Sequence, residues 1–393
     1  MSQPADPAPA PSAERRDLLV ALAVSREVPR PAACRLATKL DAWERAGWRA
    51  GPATAARLGL PAADLASAGR LRRRAAALAR EERARARGLG GRLLTLDDPG
   101  YPAALRDLEL PPPALWVRGA PPPEARRAVA IVGSRRADAY GREVAELFGR
   151  ELAAAGLTVV SGFARGIDAA AHRGALEGGA AGDEDAGEEG GACATAAVLG
   201  AGLGVDYPRG HRRLGERIAG RGCLLSEFPC GIGPKPWHFP VRNRLIAALA
   251  AGVVVVRAAR RSGSLITARF ALDLGRDVLA VPGRIFEPRS AGTNALIADG
   301  AHPALAARDV LEVLGAAAPA RPAGGAPGEP GEALPPGLRG RVLGAMVPGN
   351  PAAPEALAAA LGEPVDRLLG VLLELELEGR VRREPGPAYV RRA

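Results

Sequence analysis

Six short apolar runs, each ending in a small-residue loop, constrain this chain more than any other feature. They are Ala-Val-Ala-Ile-Val-Gly-Ser-Arg (128–135), Thr-Val-Val-Ser-Gly-Phe-Ala-Arg-Gly-Ile-Asp (158–168), Ala-Val-Leu-Gly-Ala-Gly-Leu-Gly-Val-Asp-Tyr-Pro (197–208), Cys-Leu-Leu-Ser-Glu-Phe-Pro (223–229), Val-Val-Val-Val-Arg (253–257) and Val-Leu-Ala-Val-Pro-Gly (278–283). Val, Ile and Leu without polar alternation predict strands buried on both faces. Helical stretches between them predict parallel neighbours, hence an α/β chain with a mostly parallel sheet. In such a sheet the loops beyond the carboxyl ends of the strands line one crevice, where ligands bind.

The rest of the 393 residues is arranged around this core. Residues 1–13 are rich in Pro and Ala and read as a disordered tail. A small all-α domain over 14–90 is broken at Pro29–Pro31, Gly47–Pro52 and Pro61 and ends in a helix over 71–87. That helix carries Arg72, Arg73, Arg74, Arg80, Arg83, Arg85 and Arg87, either as a solvated face or as an auxiliary nucleic-acid contact. A proline-dense connector follows over 91–127, with Leu115-Trp116-Val117 as a strand at the edge of the main sheet. The α/β core spans 128–315. The segment 178–191, with five acids among glycines, reads as an inserted surface loop. A flexible Ala/Pro/Gly linker over 316–337 leads to three helices and a hairpin over 338–393, the winged-helix order. Its third helix carries Glu374, Glu376 and Glu378, which argues against duplex readout.

The formal charge of +10 favours a polyanionic partner. Only Lys39 and Lys235 are lysines; Arg, Ala, Gly and Pro all have GC-rich codons, so the preference for Arg itself carries little weight. Cys34, Cys193, Cys223 and Cys230 show neither zinc-ligand nor disulfide spacing. The N-terminus lacks the basic-then-apolar pattern of a secretory leader. The longest apolar run, 245–256, is too short to span a bilayer, so the expectation is a cytoplasmic protein without membrane contact.

Three loops share one design. Gly133-Ser134-Arg135, Ser161-Gly162-Phe163-Ala164-Arg165-Gly166 and Ser262-Gly263-Ser264 each follow a strand and precede a helix, combining close main-chain approach, hydroxyls and helix N-terminal amides. The first two add a guanidinium. None is a dinucleotide fingerprint or a Walker A loop. Three such loops on one sheet edge suit a chain of phosphates. Lys235-Pro236-Trp237-His238-Phe239-Pro240-Val241-Arg242-Asn243-Arg244 sets aromatics among cations, the combination that stacks bases and neutralises phosphates. Four scattered histidines and no nucleophile elbow give no hydrolytic site and no metal site. Asp168 and His172, one turn apart, suit an acid–base pair in principle, although helix stabilisation and packing explain them as well.

In order along the chain, Gly133-Ser134-Arg135, Ser161-Gly162-x-Ala164-x-Gly166-Ile167-Asp168, Phe239-Pro240-x-Arg242-Asn243-Arg244, Ser262-Gly263-Ser264-Leu265 and Gly292-x-Asn294-x-Leu296-Ile297 resemble the DNA-processing protein A (DprA, or Smf) family of natural transformation. The resemblance implies an extended Rossmann-like sheet with helices on both faces, a sterile-alpha-motif-like front end and a winged-helix-like tail. It further implies single-stranded DNA binding, homodimerisation and loading of the RecA recombinase, with no cofactor and no catalysis. The DNA contacts it implies are Arg135, Ser161, Gly162, Gly166, Phe239, Arg242, Asn243, Arg244, Ser262, Gly263 and Ser264, and the loop and aromatic chemistry adds Gly133, Ser134, Arg165 and Lys235. Arg257 stands where the family usually has Glu, and is expected to add charge beside the pocket. The alternative is a nucleotide-processing hydrolase similar to the lysine-decarboxylase-like (LOG) phosphoribohydrolases, whose catalytic acid has no counterpart here.

Overall fold

The computed structural model describes residues 12–179, 193–316, 337–347, 351–383, 386 and 388–391. The expectations for the N-terminal tail, the acidic segment and the linker fall almost wholly outside these residues.

Six helices come first: α1 (Ala13–Val24), α2 (Arg30–Ala37), α3 (Leu40–Arg45), α4 (Pro52–Leu58), α5 (Ala62–Arg72) and α6 (Ala75–Gly88). Their breaks fall where proline and glycine dictate. Pro29 and Pro61 sit at the N-caps of α2 and α5, and Gly59 closes α4 in the left-handed conformation. The Ser12 hydroxyl caps α1 by accepting from the Arg15 amide at 3.2 Å, an arrangement worth about 1 kcal/mol. The helices share a core built on Leu18, Leu36, Trp43 and Leu65. The single helix expected over 71–87 is instead two, with the chain turning at Arg73-Arg74. Arg72, Arg74, Arg83 and Arg85 pair with Glu14, Glu27, Asp17 and Glu81, so much of this arginine run is neutralised within its own module.

The sheet has nine strands: β1 (Gly91–Thr95), β2 (Ala114–Gly119), β3 (Ala128–Val132), β4 (Thr158–Ser161), β5 (Thr195–Val198), β6 (Cys223–Ser226), β7 (Gly252–Val255), β8 (Asp277–Ala280) and β9 (His302–Pro303). The helices interleaved with them are α7 (Ala103–Arg106), α8 (Ala139–Ala154), α9 (Ile167–Gly178), α10 (Arg212–Arg221), α11 (His238–Ala248), α12 (Ser264–Asp273), α13 (Ala291–Ala298) and α14 (Ala307–Val313). Strand order is β1-β2-β6-β5-β4-β3-β7-β8-β9, parallel from β6 to β9. β2 runs antiparallel to β6, and β1 antiparallel to β2. The stretch expected to be a connector thus supplies two strands, and Leu115-Trp116-Val117 is not the edge, because β1 lies outside it. Trp116 is fully buried, and its indole Nε1 donates to Glu82 of α6 at 2.9 Å. Glu82 also accepts the Cys230 amide at 2.7 Å, which fastens α6 to the sheet.

Strand residues alternate between two cores. Ala128, Ala130 and Val132 pack with Leu245, Ile246 and Ala268 from α11 and α12. Val129 and Ile131 pack on the opposite face with Phe148, Leu152, Ala171 and Ala175 from α8 and α9. These last two helices meet backbone to backbone: a Cβ on Gly174 would lie 1.9 Å from the Glu146 carbonyl oxygen. From β3 the chain steps outward through β4 and β5 to β6, then crosses back to lay β7 on the other side of β3. That reversal opens a crevice between the loops after β3 and β7.

The C-terminal elements are α15 (Leu338–Ala345), β10 (Pro351–Ala352), α16 (Pro354–Leu361), α17 (Val365–Leu377), β11 (Val381–Arg383) and β12 (Tyr389–Arg391). Val342, Leu357, Leu368, Leu372, Leu375 and Tyr389 form their core. This is the winged-helix order with an added short strand, β10, beside β12.

Candidate nucleic-acid interface

A cavity of about 560 Å³ opens at the crevice beside β3. One wall is the loop after β3 (Gly133, Ser134, Arg135), another the loop after β7 (Ser262, Gly263, Ser264), and α11 with the segment before it supplies Lys235, Phe239, Arg242 and Asn243. Ten of the fifteen residues singled out from the sequence therefore line one groove.

The groove has a cationic aromatic side. The Arg135 guanidinium lies 4.5 Å from the centre of the Phe239 ring, which in turn lies 5.5 Å from Tyr207. Just outside the groove lining, Trp237 is 61% exposed with Lys235 Nζ 5.2 Å from its ring centre. Among the described residues neither Arg135 nor Lys235 forms an ion pair, although the Arg135 charge acts on the nearby Asp168 carboxyl. Gly200, after β5, makes room for the ring, since a Cβ there would lie 2.7 Å from a Phe239 carbon.

The opposite side is built from hydroxyls and a helix start. Ser262 and Ser264 hydroxyls lie 2.8 Å apart at the beginning of α12, whose first turn carries no acid. Asn243 Nδ2 donates to the Gly263 carbonyl at 3.3 Å and ties this loop to α11. The unopposed N-terminus of α12 favours an anion.

Arg242 forms the floor. It is 3% exposed and donates to the carbonyl oxygens of Gly162, at 2.6 Å, and of Val198. Burial lowers its pKa to about 10, so it stays charged at neutral pH. Asp168 faces it, and burial raises that carboxyl above the usual range against the pull of Arg242. Two carbonyls and a carboxylate offset the desolvation of this guanidinium.

Five of the expected contacts lie off the groove lining, each for a visible reason. Ser161 is buried and donates to the Ile131 carbonyl at 2.6 Å. Gly162 is a space requirement: a Cβ there would lie 2.6 Å from an Arg242 nitrogen. Gly166, at φ +80°, lets the second loop press on the first, because a Cβ would lie 2.3 Å from the Ser134 carbonyl oxygen. Arg165 turns away to the Arg209 carbonyl. Arg244 pairs at 2.6 Å with Glu227, whose carboxylate is fully buried and also meets Arg30 of α2 at 2.6 Å.

Arg257 differs from expectation as well. It adds no free charge beside the groove, because Asp138 at 2.8 Å, Glu287 at 3.1 Å and the Ser290 hydroxyl enclose it in the neighbouring cleft. Asp168 and His172 form no acid–base pair: Asp168 accepts the Ala164 amide, and His172 meets Thr195. Of the stretch 235–244, residues 238–244 form the first turns of α11, and only Lys235–Trp237 precede it. Residues that line the groove without having been singled out include Tyr207 and Thr267. Tyr207 carries the available signal, an aromatic next to proline in a loop beyond a strand.

Residues 92–315 match the family described as DNA recombination-mediator protein A, and residues 326–387 match the DprA winged helix domain. The chain is 39% identical to Protein Smf of Escherichia coli strain K12 over 307 residues, covering 76% of this chain and 77% of that protein. It is 38% identical to DNA processing protein DprA of Bacillus subtilis strain 168 over 215 residues, or 54% of this chain and 68% of that one. The X-ray structure of DNA processing protein A from Streptococcus pneumoniae superposes with a TM-score of 0.61 at 31% identity, covering 77% of this chain and 98% of that one.

Proposed function

From the premise that this chain belongs to the DNA recombination-mediator protein A family, we propose that its groove holds single-stranded DNA by backbone phosphates and stacked bases, without sequence readout. The observation that carries this reading is the convergence of Arg135, Lys235, Phe239 and the Ser262–Ser264 turn on one cavity at the reversal of strand order. Unpaired cations and the α12 N-terminus suit phosphates. Phe239, Tyr207 and the exposed Trp237 offer faces on which any base stacks. A groove that touches phosphates and ring faces reads no base edges, so it tolerates every sequence.

The reading assigns no bond-breaking step to the groove. Its lining carries one carboxylate, Asp168, which is 6% exposed and accepts the Ala164 amide. Loading of RecA onto the bound strand, a homodimeric assembly and a cytoplasmic setting during DNA uptake complete the proposal; family membership supports them. Among the described residues no helix is long and apolar enough to cross a membrane.

Fluorescence anisotropy with an oligothymidine and a duplex of equal length tests the core of the proposal. Salt-dependent binding that favours the single strand is expected. Tighter binding to duplex, or release of free base from nucleoside monophosphates, overturns it. For the RecA step, faster recombinase filament formation on strands already bound by this protein is the expected result.

A further inference from the structure

A second cavity, of about 230 Å³, lies behind the loop that follows β5. Tyr207 lines both it and the groove. Its walls are Leu89, Leu199, Leu203, Leu224 and the Phe163 and His211 rings. Phe163 sits at φ +59°, a backbone region that a bulky residue occupies only under strain. Held there, its ring meets His211 edge-on with centroids 5.3 Å apart.

Aromatic groups therefore continue from the groove toward this cavity. Arg135 covers Phe239, Phe239 meets Tyr207, and Tyr207 shares the cavity with His211 and Phe163. The charges at the cavity do not suit a phosphate. Arg118 is engaged with Glu216, Arg212 also lies beside that carboxylate, and Asp206 adds a second acid, so no cation there is left without an acid nearby. Burial holds the His211 imidazole below its usual range, so at neutral pH the ring is uncharged. What fits an apolar, aromatic-walled cavity with acids beside it is a flat heterocycle whose phosphate stays outside.

We propose that this second cavity takes one nucleobase of the strand held in the groove, entering past Tyr207 to lie against Phe163 and His211. The inference rests on the proposed single-strand binding and adds a base site to it. The strand's phosphates stay with Arg135 and Lys235, while one base turns inward, so the cavity contributes affinity without contributing salt dependence.

Two variants of the full chain test this by opposite means. Gly215→Leu fills the cavity from α10, where a Cβ would already lie 3.4 Å from the Phe163 ring. Phe163→Asn removes the stacking wall with a residue that tolerates the left-handed backbone. Each is expected to bind oligothymidine about tenfold more weakly, the loss of one stacked base, with an unchanged salt slope. A single abasic position moved along the oligothymidine should weaken wild-type binding at one register, and the same position should be silent with Gly215→Leu. Wild-type affinity in both variants overturns the base site, as does a flattened salt slope in either. If the wild-type chain binds no single strand in a salt-dependent way, the groove reading fails too. That outcome is distinguishable because it appears before any variant is made.

Discussion

Salt dependence gives a charge-by-charge test of the groove, because the structure sorts its neighbouring cations into engaged and free ones. Arg135 and Lys235 line the groove, are exposed, and form no ion pair among the described residues. Arg244, two positions beyond Arg242 in sequence, is neutralised by the buried Glu227. Each phosphate neutralised on a single strand adds about 0.7 to the slope of log affinity against log salt. Arg135→Ala and Lys235→Ala should therefore each flatten the slope by about 0.7, and the double variant by about 1.4. Between about 50 and about 200 mM salt, the affinity gap between wild type and either single variant should narrow about 2.6-fold, and for the double variant about 7-fold. Arg244→Ala should leave the slope where it was. Anisotropy of a labelled oligothymidine at five salt concentrations measures all five slopes, wild type included. The reasoning is refuted if Arg244→Ala loses as much slope as Arg135→Ala, or if neither groove variant loses any.

Phe239→Ala removes a stacking face but no charge, so affinity for oligothymidine should fall by about 1–3 kcal/mol at an unchanged salt slope. Arg244→Ala should instead appear in urea denaturation, with a loss of about 3 kcal/mol, because the buried Glu227 is left with Arg30 alone. His172 sets an acid limit on stability. Its Nδ1–H donates to Thr195 Oγ1, whose own hydroxyl donates to the Val159 carbonyl, and Nε2 is buried without a partner. Burial lowers its pKa from 6.5 to about 3. The unfolded chain thus gains a proton below about pH 6.5 that the fold refuses, and stability falls by up to about 1.4 kcal/mol per pH unit down to about pH 3. Above pH 6.5 this group contributes no pH dependence. His172→Gln should flatten that acid limb in urea melts recorded from pH 7 to about pH 4.

The groove was legible in the sequence to the extent that strand ends determine it. Parallel strands send all their carboxyl-end loops to one edge, so Ser134, Arg135 and Ser262–Ser264 had to be neighbours once the strands were recognised. The direction of a side chain within such a segment is another matter. Arg242, Asn243 and Arg244 are consecutive, but they lie on a helix, where each residue turns by about 100° from the last. Arg242 and Asn243 therefore face the groove and Arg244 faces Glu227. The pairing of Arg257 depends on Asp138, 119 positions earlier, and on Glu287, and no local pattern announces either. β1 has no sequence signal of its own, because Gly-Arg-Leu-Leu-Thr follows a long helix and carries too few alternating positions to declare a strand. Ser161, Gly162 and Gly166 belong to a motif that reads as a ligand loop, and their physical duties are packing ones.

The contact between the first two loops bears on how a strand is received. Gly166 presses on the Ser134 and Arg135 carbonyls, the Ile167 amide donates to Ser134, and the Ser134 amide donates to the Arg257 carbonyl. Those bonds run within the protein and need no ligand to form. The receiving surface is thus set in advance, and nearly all the disorder surrendered on docking belongs to the nucleic acid. A pre-stacked strand such as oligoadenosine must first give up its own stacking before its bases reach the protein rings, so it should bind more weakly than oligothymidine.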